Sequence, residues 1–343
     1  RKLPPFLFHY IDGGAYADAV AAGGICERPV DPPLVASGRR PLRYSTPGPM
    51  VTSRSAVQEQ DSVTAAAGDL VVFRTSTPQA AIATAPTCNA GGTTFTGGTS
   101  FTCEPTVTSD GDVQFMTGNW FAAISDDGGM NWRYIDPYDN FNNDGTCDVP
   151  ANSGRFCCDQ VAMHDASRDQ LFWYLQYTRD GNGNNIQRLA VARTMPDLLA
   201  NTWTFYDFSA ATFGFNGAFW LDFPDLTLSD DFLWITTRVF NNNNPPTSVG
   251  ELLTRIPLDQ LKAGGGISFQ IAVFAPGSPP RCVRGAGDTA FCAQQNLLDE
   301  IRVHRWFEDS NELAFDDIDH PGLQDGAFIC TGPGGRNFCQ GAD

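Results

Sequence analysis

The sequence predicts an all-β fold, a β-propeller of four-stranded antiparallel blades. Three observations predict it. The 343 residues include 34 Gly, 23 Pro, 25 Phe and 7 Trp, a composition that favours short aromatic strands between turns over periodic helices. A strand–turn–strand phrase recurs five times, beginning near residues 60, 105, 158, 224 and 280, a spacing in the range of propeller blades with variable loops. Each phrase is followed by a third apolar strand and a turn toward a fourth, and four antiparallel strands in a meander make one blade.

Taken in order, residues 1–57 are irregular, rich in Pro, Gly and Arg, and read as a segment that packs on the repeats or completes them. The repeats occupy 58–320. The first runs Gln60–Thr64, turns through Gly68-Asp69, and continues Leu70–Phe73 and Ala80–Ala83. The second is Pro105–Thr108, Val113–Phe115 and Phe121–Ile124, and the third Cys158–Ala162, Leu171–Tyr174 and Leu189–Ala192. In the third, a longer turn from Met195 to Asn201 closes on Thr202-Trp203. The fourth is Pro224–Leu228, Phe232–Ile235 and Leu252–Arg255, and the fifth Pro280–Val283, Thr289–Phe291 and Ile301–His304. Residues 321–343 read as a C-terminal loop closed by a Cys330–Cys339 disulfide and leading toward a next blade. The chain stops at Asp343, where a sixth inner strand would begin, so it is expected to be part of a larger propeller, six or seven blades once missing or partner segments are counted.

A formal charge of −17, with only seven Glu among 39 acids, excludes nucleic acid and anionic membrane as natural partners. Abundant Asp suits turns, cations and neutral ligands. Ten cysteines fall in close sets, Cys88 with Cys103, Cys147 near Cys157-Cys158, Cys282 with Cys292 and Cys330 with Cys339, leaving Cys26 to reach one of the vicinal pair. None shows zinc spacing, and local disulfides place the chain in an oxidising, secreted setting. No 18-residue apolar run and no signal peptide occurs, so no membrane span is expected and the chain reads as a processed form or a fragment. No Asn-x-Ser/Thr sequon occurs.

One stretch is the most recognisable. Ile124-Ser125-Asp126-Asp127-Gly128-Gly129-Met130-Asn131-Trp132 is a strand end, a polar turn with two glycines and a Trp folding back. Its Ser125, Asp127, Gly129 and Trp132 spacing resembles the Asp-box of sialidase-like propellers, with Asn131 where that family usually has Thr or Ser. The resemblance implies a structural turn between outer strands, without chemistry of its own. That family's catalytic set is an arginine triad, a Tyr nucleophile with a Glu partner, and an Asp acid. The string Arg255-Ile256-Pro257 matches its first arginine motif, but it ends a third strand, aligned with Arg193-Thr194-Met195-Pro196, and reads as repeat filler. The resemblance therefore covers the fold and leaves the catalytic set unmatched. A second phrase, Tyr10–Ala15, is similar to one near the start of flavin-dependent hydroxy-acid oxidases. Those are α/β barrels, and nothing downstream alternates helices with parallel strands.

Candidate ligand residues follow from the repeat. Asp61, Asp159 and Asp225 open successive inner strands and should converge on one rim of a channel, where they would hold an ion, bind sugar hydroxyls, or simply accept backbone N–H groups. Phe213, Phe215, Phe219, Trp220, Asp222 and Phe223 form an aromatic entry to the fourth inner strand, either a platform for sugar faces or a plug between blades. Asp180, Asn182 and Asn184 alternate oxygen ligands as a calcium loop does, without the later Gly and Glu, so a structural calcium is conceivable and no cofactor is required. Asp136–Gly145 is equally oxygen-rich. The histidines, His9, His164, His304 and His320, lie in different units, which speaks against a His-based centre, and His164 reads as a surface residue. The function expected is a non-catalytic extracellular protein that binds glycan or matrix, or assembles with copies of itself. The alternative is a polysaccharide-active hydrolase or lyase using rim carboxylates.

Overall fold

In the computed structural model the described residues are 87–90, 93–96, 104–141, 146–285, 287–297, 300–311 and 313–319. The first repeat with Asp61, the terminal segments, the Tyr10 phrase, Cys26, and the Cys88–Cys103 and Cys330–Cys339 pairings lie outside the described residues.

A short hairpin, β1 (Thr87–Ala90) with β2 (Thr93–Thr96), comes first. Four meander sheets of four antiparallel strands follow. The first sheet is β3 (Thr106–Asp110), β4 (Val113–Gly118), β5 (Phe121–Ser125) and β6 (Arg133–Ile135). The second is β7 (Phe156–Asp165), β8 (Gln170–Tyr177), β9 (Ile186–Ala192) and β10 (Thr204–Ser209). The third is β11 (Phe219–Leu228), β12 (Phe232–Asn241), β13 (Ser248–Pro257) and β14 (Gln270–Phe274). The fourth is β15 (Arg281–Cys282), β16 (Thr289–Leu297), β17 (Glu300–Phe307) and β18 (Leu313–Asp319). These are the second to fifth repeats of the sequence, each in the expected order. First strands neighbour one another: β3 lies by β7, β7 by β11, and β11 by β15.

The burial pattern explains why the middle strands read as unbroken apolar runs. Every residue of β8 and β9 is buried, as expected of strands covered on both faces. Because successive side chains point to opposite faces, β8 feeds two cores at once. Leu171, Trp173 and Leu175 join Phe115 and Ile124 of the first sheet, while Phe172 and Tyr174 join Leu226, Leu233 and Ile235 of the third. In β12 the same alternation sends Trp234 the other way, to Phe274, Cys292 and Trp306. Trp173 meets Phe115 edge-on at 5.4 Å and Trp234 meets Trp306 at 5.3 Å, so one large ring sits at each of these seams. Truncating a buried ring of this kind costs about 3–5 kcal/mol. The outer strand β10 alternates between half-buried and exposed residues as far as Asp207 and then buries Phe208.

Polar side chains also cross between sheets, and they favour main-chain partners. Gln160 on β7 donates to the carbonyls of Gly118 and Phe121 in the first sheet and accepts from Trp173 Nε1. Asn185, before β9, brackets Leu221 of the third sheet, accepting from its N–H at 2.7 Å and donating to its carbonyl at 2.8 Å. Arg255 on β13 is 3% exposed and donates to the carbonyls of Phe307, Glu308 and Ser310 in the fourth sheet. It lies over the rings of Phe232, Trp234 and Trp306. In this structure, then, Arg255 is a fastener between sheets.

Two features differ from the sequence reading. The Met195–Asn201 turn contains a helix, α1 (Met195–Leu199), whose N-terminus is capped by Thr194 accepting from the Asp197 N–H, with Pro196 in its first turn. A second helix, α2 (Leu258–Ala263), joins β13 to β14 and ends at Gly264. Both are short, so no helix among the described residues is long and apolar enough to cross a membrane. As expected, Cys282 and Cys292 form a disulfide, between directly paired residues of β15 and β16. Cys147 is also disulfide-bonded, but Cys157 and Cys158 are buried thiols, so the local staple of Cys147 onto that pair, and the link from Cys26 to it, are not formed.

Candidate functional site

In a meander, alternate connections fall at opposite ends. The β4–β5 turn, the β6–β7 loop, the β8–β9 loop and the β12–β13 loop share the end at which the chain enters each first strand. A pocket of about 660 Å³ opens there, lined by Trp120, Tyr138, Arg155, Phe156, Cys157, residues 178–183 and Asn242. Its wall is held from below. Gly154 N–H donates to Thr178 O at 2.7 Å, and Thr178 N–H to Arg155 O at 2.8 Å, so the entry to β7 and the exit from β8 are zipped together.

The opposite wall is the tip of the β8–β9 hairpin, with Asp180, Asn182 and Asn184. Asp180 Oδ1 accepts from the N–H groups of Asn182 and Asn184 at 2.8 and 2.9 Å, and its other oxygen accepts from Asn182 Nδ2. Burial opposes the charge here, but the N–H groups of Asn184 and Asn182 outweigh it and hold the carboxyl below its usual range. The expected calcium ligand thus caps its own turn. Gly183, with φ of +82°, receives the Asn242 amide on its carbonyl at 2.9 Å. Asn242 in turn accepts from Arg179, whose guanidinium lies over the Trp220 ring at 4.9 Å. Arg155 and Arg179 thus both face the pocket in an otherwise strongly acidic chain.

Tyr138 is buried and packs edge-on against Phe156 at 5.2 Å. Two residues earlier, Asp136 is 2% exposed; Oδ1 accepts from the Tyr138 N–H at 2.9 Å and Oδ2 has no hydrogen-bond partner. Burial pushes its carboxyl up to about 7, against the Tyr138 N–H and with help from the charge of Asp139. Sequence reading placed Asp136 in a plain oxygen-rich loop, and only its burial gives it this character.

The remaining expected site residues are placed as follows. Asp159 is half-buried at an irregularity in β7, between Phe156 and Gln160, where Cys158 takes φ of +53°. Asp225 is buried just after a bulge in β11, where Phe223 takes φ of +56°, and it pairs with Arg281 of the fourth sheet at 3.0 Å. Gln160, opposite Leu175, reaches back to the first sheet, whereas Asp225, opposite Thr236, reaches forward to the fourth. Asp222 is buried beside Asp225, opposite Arg238, which bonds Glu251 at 2.6 Å. Trp220 is 3% exposed, stacked on Phe240 at 4.7 Å, and Phe213 is buried against Phe208. These two rings fill space between elements and do not form an exposed platform. Ser125, Asp127, Gly129 and Trp132 sit at the other end, in the β5–β6 turn. There Ser125 Oγ accepts from Gly129 N–H at 2.8 Å, Asp127 accepts from the Asn131 N–H at 2.8 Å, and Trp132 Nε1 donates to Gly129 O.

Fold and site together define an all-β protein of four successive meander sheets, with an aromatic, arginine-bearing pocket where the chain enters its first strands. No family model matches the chain. A 19-residue stretch is 90% identical to an L-lactate dehydrogenase of Xanthobacter autotrophicus, over 6% of this chain and 5% of that protein. The match spans about a twentieth of that protein's length. Among solved structures, the chain is similar to the GH43 endo-arabinanase from Bacillus licheniformis at 13% identity, over 68% of this chain and 89% of that one, with a TM-score of 0.33. A likeness at that score bears on neither fold nor function.

Proposed function

We propose that this chain is a secreted β-propeller of the sialidase-like kind that binds glycan without turning it over, and that it does so in the pocket between the β7 entry and the β8–β9 hairpin. Support for the propeller comes from four meander sheets whose first strands neighbour one another in order and from the self-capped Ser125–Trp132 turn. The Cys282–Cys292 disulfide suits an extracellular setting.

One observation carries the functional reading: the pocket offers the half-buried Trp120 as a ring surface, with Arg155, Arg179, Asn182 and Asn242 around it. Rings stack on the apolar faces of sugars while amides and guanidinium groups bond the hydroxyls. Most glycoside hydrolases use two carboxyl groups flanking the bond, and the sialidase-like set pairs its Tyr nucleophile with a Glu and adds an Asp acid. Among the described residues the lining has one carboxyl group, Asp180, and it accepts from the N–H groups of its own turn.

The test is a glycan array, followed by calorimetry, with the full chain and with Trp120→Ala and Asn182→Ala. Saturable binding that weakens at least tenfold in both variants, at unchanged melting temperature, is expected. Absence of any retained saccharide overturns the binding reading, and release of new reducing ends moves the protein to the hydrolase alternative.

A further inference from the structure

At the opposite end from the pocket, the first and second sheets bring three ligating side chains together. The Ala162 N–H on β7 donates to Thr106 Oγ1 on β3 at 2.9 Å, so these first strands run side by side. His164 lies two residues beyond Ala162 and Asp110 four beyond Thr106, which keeps each on the same face of its strand as its starting residue. The β7–β8 turn then returns Asp169, in a left-handed conformation with φ of +50°, to the same place. One ligand atom each from Asp110, His164 and Asp169 lies within 4.8 Å of the other two. A buried ring nitrogen of His164, Nε2, has no hydrogen-bond partner. Such an orphaned polar atom calls for a missing water or ion.

We infer that Asp110, His164 and Asp169 form a divalent-cation site that joins the first sheet to the second. One imidazole with two carboxylates is a mixed nitrogen and oxygen donor set, which suits zinc and its first-row neighbours better than calcium or magnesium, whose ligands are oxygens. Asp110 and Asp169 are exposed and His164 half-buried, so an ion reaches the site from solvent and keeps open positions for water. Lys262 Nζ is held nearby on the main-chain oxygens of Asp169 and Arg193, and the Met195 N–H donates to Asp169 Oδ1 at 3.3 Å, which orients the carboxylate and leaves its other oxygen to the ion. Sequence spacing hid the site because Asp110 is 54 residues from His164 in the chain and belongs to another repeat.

The test uses the metal-free full chain, titrated with zinc chloride by calorimetry and with cobalt(II) by visible absorption, beside Asp110→Asn and His164→Gln. Expected are one saturable zinc equivalent, a cobalt spectrum of nitrogen and oxygen ligation, a rise in melting temperature on zinc addition, and at least tenfold weaker binding in each variant. Asp110 is exposed, so its variant keeps the experiment interpretable if His164→Gln folds poorly. No saturable binding, an affinity unchanged in the variants, or a thiolate-to-cobalt charge-transfer band placing the ion on Cys157 and Cys158 each overturns the assignment.

Discussion

The guanidinium of Arg255 in the third sheet reaches the Phe307 carbonyl of the fourth at 2.9 Å while lying 4.7 Å from the centre of the Trp306 ring. Charge, fork geometry and a flat face are all used at this one seam. Arg255→Ala leaves several carbonyls without their donor, and denaturant unfolding is expected to show a loss of about 3 kcal/mol. Arg255→Lys keeps the charge but not the fork and should fall between. A loss below about 1 kcal/mol for the Ala variant would contradict the fastener role.

Asp136 sets a pH dependence. Burial holds its folded carboxyl protonated up to about pH 7, well above the ordinary carboxylate range. The folded state therefore binds more protons across that window, and stability falls as pH rises from about 4 to about 7. Asp136→Asn should flatten that part of the curve and be more stable than the parent at pH 8. Glu251, fully buried and also raised to about 7 by burial against the pull of Arg238, adds a slope of the same sign that remains in the variant. Chemical denaturation at several pH values reads both, and an unchanged slope in Asp136→Asn rules the assignment out.

Ser125 closes the β5–β6 turn from inside. It is 1% exposed and its hydroxyl both accepts from Gly129 N–H and donates to Asp127. Ser125→Ala is expected to cost about 1–2 kcal/mol, with saccharide binding unchanged, because the turn lies at the end opposite the pocket. A change in affinity would show that the two ends communicate.

Gly183 is the hinge of the pocket wall. A Cβ there would sit 2.4 Å from Asn242 Nδ2, and its φ of +82° already disfavours a side chain. Gly183→Ala should destabilise by roughly 1–2 kcal/mol and weaken ligand binding severalfold, since Asn242 loses its seat on the Gly183 carbonyl. Thermal melts and calorimetry on one preparation separate the two effects.

How much could be read beforehand follows from the physics of each feature. Strand order and sheet membership were legible at Leu171–Tyr174 and Phe232–Ile235, where aromatic and branched residues repeat in register. The helices were not: α1 and α2 are short insertions at a turn, and a single turn of helix has too few residues to show a period. The breaks in the first strands were not legible, because Cys158 and Phe223 adopt left-handed backbone without being Gly, and nothing local in the sequence signals that. Trp220 was legible as an aromatic but not as buried, since its cover comes from Arg179 and Phe240. His164 and Asp110 meet only through the packing of two repeats, and Asp136 gains its character from burial alone.

The cross-sheet bonds of Gln160 and Asn185 end on main-chain atoms, as do most of those made by Arg255. A joint of that kind is blind to the identity of the residue it grips, so long as the backbone keeps its course. At these contacts the gripped residue is free to drift in sequence without a compensating change next door, whereas the charged pairs on the same seams, Asp225 with Arg281 and Arg168 with Asp231 and Asp259, should change together. A foreign sheet of equal strand length put in place of one of these must keep the Gln, Asn or Arg that reaches across and its half of each charged pair.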